Sequence, residues 1–188
     1  MDIAIVGATG NVGRKTLEVL DKKNISIDNL YLLASSKSVG KKISYKNKEY
    51  EVSDLETFDF SKVKISFFAA GGKISEDFAK KAAQKCLVID NSSKYRMDPD
   101  VPLVVPQVNS DSLKNIKKNI VANPNCSTAQ LVIALKPLHD LYTIKRVVVS
   151  TYQSVSGGGK NPMDELIEQT KQVLDGQKVK SKNFTKQI

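Results

Sequence analysis

Cys126 lies in Asn123-Pro124-Asn125-Cys126-Ser127-Thr128, between a strand-like run at 119–122 and an apolar helical pattern that reaches about Leu138. The pattern predicts a thiol at a strand-to-helix junction, over the helix N-terminus. Free N–H groups there carry partial positive charge and favour thiolate over thiol. The same groups could hold the oxyanion formed when a thiolate attacks a carbonyl. A cysteine beside an apolar run is otherwise a small buried hydrophobe, so the elements around it must decide.

Two more groups stand where chemistry is expected. Cys86-Leu87-Val88-Ile89-Asp90 reads as a buried strand, and Asn91-Ser92-Ser93 ends it, with Arg96 just beyond. In open parallel sheets ligands bind at the carboxyl ends of strands. A guanidinium there could take a carboxylate or phosphate bidentately, although a plain surface arginine fits as well. Gln153 ends the strand-like run Ile144–Tyr152, where it could orient a substrate or the thiol. Cys86, inside its strand, reads as inert core.

The elements that must position these groups begin at the N-terminus. Ile3–Val6 is a short apolar strand, Gly7-Ala8-Thr9-Gly10-Asn11-Val12-Gly13 a turn, and Thr16, Leu17, Val19 and Leu20 recur at helical spacing. This strand–glycine turn–helix order is a dinucleotide fingerprint: Gly7 for the tight turn, Gly10 for approach of a pyrophosphate, Gly13 for helix–strand packing. Thr9, Asn11 and Val12 belong to the same loop. The second strand, Leu30–Ala34, is followed by Ser35-Ser36-Lys37-Ser38. NAD-specific folds place an acid there for the ribose 2′-OH. Hydroxyls and a cation suit a 2′-phosphate instead, so NADP is expected, with Ser35, Lys37 and Ser38 as contacts.

Further on, residues 43–52 predict a hairpin around Lys46-Asn47-Lys48, and 64–70 a buried strand ending at Gly71-Gly72, glycines that permit close approach of a cofactor or simply a turn. Residues 75–84 predict a helix burying Phe78, Ala79, Ala82 and Ala83. Residues 97–106 read as loop, 113–118 as a short helix or turn, and 144–152 as a long strand. Gln153–Gly159 is a second glycine turn, before a helix at about 162–174.

Composition narrows the function. The chain has 188 residues, 40% hydrophobic and 26% charged, as in a globular protein. Its net charge of +9 comes from scattered lysine pairs such as Lys41-Lys42 and Lys117-Lys118, with no nucleic-acid-binding signature. A bias toward phosphorylated small molecules is the expected meaning. Two cysteines give no disulfide framework and fit a reducing cytoplasm. One histidine and no CxxC or HExxH leave no protein metal site in view. No apolar stretch is long enough to cross a membrane, and the start of the chain lacks the basic region of a signal peptide.

Taken in order, Ile5–Gly13, Leu33-Ala34-Ser35, Ala69–Gly72, Asp90–Ser93 with Arg96, Val104-Val105-Pro106 with Val108-Asn109, Asn123–Thr128 and Thr151–Gly157 resemble the aspartate-β-semialdehyde dehydrogenase family. The pieces cover nearly the whole chain. The related N-acetyl-glutamyl-phosphate reductases carry glycine where this chain has Asn125. The resemblance implies NADP- and phosphate-dependent interconversion of L-aspartate 4-semialdehyde and 4-aspartyl phosphate through a Cys126 thioester. The setting would be biosynthesis of lysine, threonine, methionine and diaminopimelate. By the same resemblance Gln153 positions the substrate, Asn125 contacts the reacting group, Arg96 binds phosphate, and Ser156 and Gly157 join the cofactor contacts.

The implied α/β architecture is a Rossmann-like doubly wound parallel sheet over 1–125. The beginning of an incomplete α+β catalytic and dimerisation domain follows over 126–188. The family works as a homodimer and uses a downstream histidine as acid–base, preceded by a substrate-binding arginine. Residues 1–188 contain neither, and His139 lies at the far end of the Cys126 helix, a structural position. Phe184–Ile188 resembles the start of a family strand, so a truncated chain with exposed surface beyond residue 127 is expected. Two readings remain: an enzyme of this family, whole or in part, or a non-catalytic NADP-binding module such as a decayed gene product. A short-chain dehydrogenase is weaker, since Tyr142 and Arg146 only approach its Tyr-x-x-x-Lys.

Overall fold

The computed structural model describes Met1–Ile188, which divide into two compact units, Met1–Val147 and Val148–Ile188. The first unit is a seven-stranded sheet flanked by helices. In chain order its elements are β1 (Ile3–Val6), α1 (Asn11–Lys22), β2 (Leu30–Ala34), β3 (Lys42–Tyr45), β4 (Lys48–Asp54), β5 (Ile65–Phe68), α2 (Gly72–Ala83), β6 (Leu87–Asp90), α3 (Pro106–Asn109), β7 (Ile120–Ala122) and α4 (Cys126–Tyr142). The strands lie in the order β3-β4-β2-β1-β5-β6-β7. All neighbours are parallel except β3, which pairs antiparallel with β4.

The side-chain period of a strand builds two cores from one sheet. Ile3 and Ile5 of β1 join Leu32, Val52 and the Leu17 and Leu20 stripe of α1 on one face. Ala4 and Val6 join Phe68, Val88, Ala122 and the Ala79, Ala82, Ala83 face of α2 on the other. Both faces of β1 are therefore buried, which is why it reads as an unbroken apolar run. The sheet is doubly wound. Its connections diverge on either side of β1, so the crevice at the carboxyl ends of β1 and β5 is the switch point.

Local chemistry accounts for the connections. Lys46 and Asn47 have φ of 48° and 61°, the paired left-handed residues of a two-residue hairpin turn. Helix α2 begins at Gly72, three residues before the expected start, because Gly71 takes φ +87° and turns the chain into the helix. Ser75, and not Phe78, completes its buried face. The turn expected at 113–118 is a 3₁₀ segment at Ser110–Lys114.

One element differs outright. Ile144–Tyr152 forms no strand, although its composition is that of one. Val147, Val148, Val149 and Tyr152 are exposed, and the segment pairs with no other strand. β-propensity records fit to a paired, half-buried surface, and an unpaired run has none. Helix α4 likewise buries none of its residues. The two compact units divide at Val147/Val148, so α4 belongs to the first.

The second unit contains a 3₁₀ turn at Val155–Gly158 and α5 (Lys160–Leu174), close to the helix expected there. Its buried side chains are polar: Glu165 and Gln169, one turn apart. Glu165 accepts the Lys182 N–H at 2.7 Å, the Asn183 N–H at 2.6 Å and the Asn183 side chain at 2.7 Å. Gln169 donates to Glu165 at 2.8 Å and accepts the Ile188 N–H at 3.0 Å. Burial works to raise the Glu165 carboxyl, but these donors outweigh it and bring it down to about 2. No helix of the chain is long and apolar enough to cross a membrane.

Candidate active site at the carboxyl ends of β5, β6 and β7

The glycine turn sits at the switch point. Gly7 takes φ +82°, and a Cβ there would lie 2.8 Å from the Ala69 carbonyl oxygen at the end of β5. A Cβ on Gly13 would overlap the Gly7 carbonyl oxygen, so α1 packs against the turn only as glycine allows. Gly10 is the N-cap of α1 and supplies no capping side chain. Gly10, Asn11 and Val12 are exposed, and Thr9 is half-buried.

Gly7 donates to the Leu33 carbonyl at 2.8 Å, which sets the turn beside the end of β2. Ser35 follows β2 directly, and Ser36–Ser38 form a 3₁₀ turn closed by the Ser38 N–H on the Ser35 carbonyl at 2.8 Å. Ser35 and Lys37 are exposed, and Lys41 donates to the Ser38 hydroxyl at 3.4 Å. Across β1, Gly71 and Gly72 open α2 without a capping side chain, and a Cβ on Gly71 would meet nothing within 4 Å. These loops all belong to the strand ends of the first unit. A cleft of about 230 Å³ between α1 and β3, lined by Leu17, Asp21, Ile43 and Tyr45, contains none of them.

The ends of β6 and β7 are tied to each other. The Asn123 N–H donates to the Asp90 carbonyl at 2.8 Å, and the Asn123 side-chain amide donates to Asn91 Oδ1 at 2.9 Å. Arg96, half-buried, donates from Nε to the Asn123 carbonyl at 2.9 Å and from Nη2 to the Asn91 carbonyl at 3.1 Å. Two of its five guanidinium N–H groups serve these carbonyls, and the rest can meet an anion. The amide pair Asn91–Asn123 is a feature the sequence reading missed. Its signal was only that both residues follow apolar runs expected to be neighbouring strands.

Asn125 and Cys126 follow. Asn125 is the N-cap of α4, its Oδ1 accepting the Ser127 N–H at 3.0 Å. That bond uses the acceptor end of its side chain and leaves Nδ2 as the donor available to a ligand. Cys126 is the first residue of the helix, and it is exposed. Cys86 is the opposite case. It is buried, its thiol lies 3.4 Å from the Ala82 carbonyl, and burial pushes it up to about 11. His139 lies exposed in the last turns of α4, about 20 Å along the axis from Cys126.

The structure thus places Gly7–Gly13, Ser35, Lys37, Ser38, Gly71, Gly72, Arg96, Asn125 and Cys126 at strand ends and helix starts of the first unit. Gln153, Ser156 and Gly157 belong to the second unit, where all three are exposed and the Ser154 and Ser156 hydroxyls lie 2.7 Å apart. Chemically, the first unit offers an uncapped helix start, a basic hydroxyl-rich loop, an arginine with unused donors, and a solvent-facing thiol at a helix N-terminus.

Residues 2–116 match the family described as "Semialdehyde dehydrogenase, NAD binding domain", and residues 135–188 match "Semialdehyde dehydrogenase, dimerisation domain". The aspartate-semialdehyde dehydrogenase of Aquifex aeolicus is 52% identical over 99% of this chain and 56% of its own length. That of Shewanella violacea is 46% identical over 100% of this chain and 56% of its own length. The chain therefore spans about half the length of the curated relatives it matches. Among solved structures, aspartate semialdehyde dehydrogenase II of Vibrio cholerae complexed with ASA superposes at a TM-score of 0.94, with 46% identity, covering 100% of this chain and 56% of that one. The Candida albicans enzyme with NADP superposes at 0.62, with 29% identity, covering 76% of this chain and 48% of that one. By the match over 2–116, the chain belongs to the semialdehyde dehydrogenase family, and its likeness within it is to the aspartate-semialdehyde dehydrogenases.

Proposed function

We propose that this chain carries the cofactor-binding part and the nucleophile of an NADP- and phosphate-dependent aspartate-semialdehyde dehydrogenase. The observation that carries the reading is the placement of an exposed Cys126 at the start of α4, with Arg96 bonded to the carbonyl of Asn123 three residues earlier. A functional boundary near 125/126 then separates cofactor binding from the thiol-bearing helix.

The residues fit the dinucleotide. The start of α1, capped by no side chain of Gly10, would hold the pyrophosphate, Gly7 and Gly13 let the helix approach β1, and Gly71 meets no neighbour that would close the opposite wall. Ser35, Lys37 and Ser38 supply hydroxyls and a cation for a 2′-phosphate, with no acid among them. Bound there, NADP supplies a hydride acceptor.

The Cys126 sulfur attacks the aldehyde carbon of L-aspartate 4-semialdehyde. A C–S bond forms, and the carbonyl π pair moves to oxygen, where the helix N–H groups and Asn125 Nδ2 can receive it. Loss of hydride leaves a thioester on Cys126. Arg96 holds inorganic phosphate, whose oxygen attacks the thioester carbonyl, and the Cys126 thiolate leaves as 4-aspartyl phosphate forms. Dividing the oxidation in this way replaces one difficult step by two easier ones. The biosynthetic direction reverses these steps, in the cytoplasm, toward lysine, threonine, methionine and diaminopimelate, within the dimer that the matched dimerisation domain serves.

The test is protection. Inorganic phosphate with L-aspartate semialdehyde should slow alkylation of Cys126 in the purified chain and leave Cys86 unaffected. Alkylation of Cys126 at an unchanged rate would contradict the site.

A further inference from the structure

Asp90 closes β6 and is fully buried, at 0% exposure. Its Oδ1 accepts the Ser75 hydroxyl at 2.7 Å and the Ser92 N–H at 3.0 Å, and its Oδ2 accepts the Ser92 hydroxyl at 2.7 Å. None of these donors is a cation. An acid buried among neutral donors is costly to desolvate, and it needs every one of its bonds.

The bonds reach two different loops. Ser75 stands in the first turn of α2, just after Gly71-Gly72. Ser92 begins the turn that leads to Arg96. The Ser92 hydroxyl also accepts the Lys94 N–H at 3.1 Å, and the buried Tyr95 hydroxyl donates to the Ser75 carbonyl at 3.3 Å. The chain from 91 to 96 is thereby closed at both ends, with Arg96 turned back onto Asn91 and Asn123.

We propose that Asp90 is the positioning residue for Arg96: through Ser92 it fixes the 91–96 turn so that the unused guanidinium donors stand beside the Cys126 turn, and through Ser75 it locks that turn to the start of α2. This rests on the reading of Arg96 as the phosphate ligand. Asp90 touches neither phosphate nor cofactor. It acts by holding a donor set whose value depends on sub-ångström placement. A mere brace would lower stability and leave the affinity of the folded protein for phosphate intact.

The test compares Arg96→Ala, Asp90→Asn and Ser92→Ala in the full 188-residue chain. Inorganic phosphate is titrated by calorimetry, NADPH is titrated in parallel, and the melting temperature is recorded. Ser92→Ala removes the only donor to Oδ2 together with the acceptor of the Lys94 N–H, and leaves the backbone bond to Oδ1, so it tests the link through Ser92 even if Asp90→Asn does not fold. The expected result is phosphate affinity lowered about tenfold in Arg96→Ala and in Ser92→Ala, the scale of a misplaced binding group, with NADPH affinity of Ser92→Ala within about twofold of the parent. Lower melting temperatures with unchanged phosphate affinity in Asp90→Asn and Ser92→Ala, while Arg96→Ala is weakened, would overturn the role of Asp90 alone. Unchanged phosphate affinity in Arg96→Ala would overturn the Arg96 reading and the inference with it.

Discussion

Arg96 donates from Nε to the carbonyl oxygen of Asn123 at 2.9 Å, across 27 residues of sequence. The same guanidinium takes the Asn91 carbonyl at 3.1 Å, so one side chain clamps the ends of β6 and β7 just before the Cys126 helix begins. A cation that stitches two strand ends while keeping donors to spare joins the fold to the proposed chemistry.

The clamp should register in stability as well as in binding. Hydrogen bonds from a charged donor contribute about 1.5–3 kcal/mol, less where water competes. Arg96 is half-buried, so Arg96→Ala should lower the unfolding free energy by about 1–2 kcal/mol in a urea titration. A change within about 0.3 kcal/mol, inside the usual spread for a plain surface substitution, would mean that the clamp contributes nothing.

The two thiols should separate cleanly. Cys86 is buried and pushed up to about 11, so almost no thiolate is present or reachable at neutral pH. Iodoacetamide at pH 7.5 should modify Cys126 at least about a hundredfold faster than Cys86, read by mass spectrometry of the peptides. Comparable rates would remove the reason to single out Cys126.

The glycines should divide by mechanism. Gly13→Ala places a methyl on the Gly7 carbonyl and should cost about 3 kcal/mol or more, together with NADPH binding. Gly71→Ala meets no neighbour and suffers only its left-handed φ, a cost of about 1–2 kcal/mol. Equal losses in chemical denaturation would show that the contact at Gly13 is not what limits the turn.

Cofactor choice should follow the loop after β2. NADPH is expected to bind at least about tenfold more tightly than NADH, and Lys37→Glu to abolish that preference by setting a like charge against the 2′-phosphate. NADH binding as tightly as NADPH in the parent chain would refute the assignment of Ser35, Lys37 and Ser38.

The second unit should respond to acid. The Glu165 carboxyl, lowered from 4.5 to about 2, stabilises the folded form above its unfolded value and loses that contribution as pH falls from about 4.5 through 2. Amide exchange at Lys182 and Asn183, whose N–H groups bond Glu165, should lose protection in that window. Glu165→Gln should flatten the dependence. Protection unchanged down to pH 2 in the parent chain would contradict it.

What the sequence revealed was local. The Ile3–Gly13 turn, the Lys46-Asn47 hairpin and the Asn125-Cys126 junction each depend on residues within one turn of each other, and each was legible. The tie from Arg96 to Asn123 and the grip of Asp90 on Ser75 span 27 and 15 residues, and no local pattern encodes them. Ile144–Tyr152 shows the converse. Its valines have strand propensity, but without a paired neighbour the segment forms no strand and Val147, Val148 and Val149 are exposed. Asn125 was expected at the reacting group. Its role as N-cap follows equally from its position, one residue before an apolar helix, and the two roles use different ends of the same amide.

The central claim is that Cys126 forms a thioester. The direct measurement is intact and peptide mass spectrometry of the chain after incubation with L-aspartate semialdehyde and NADP in the absence of phosphate. An aspartyl adduct on the Cys126 peptide, absent in Cys126→Ala and released on adding inorganic phosphate, is the predicted result. No adduct, or an adduct on Cys86, would contradict the account.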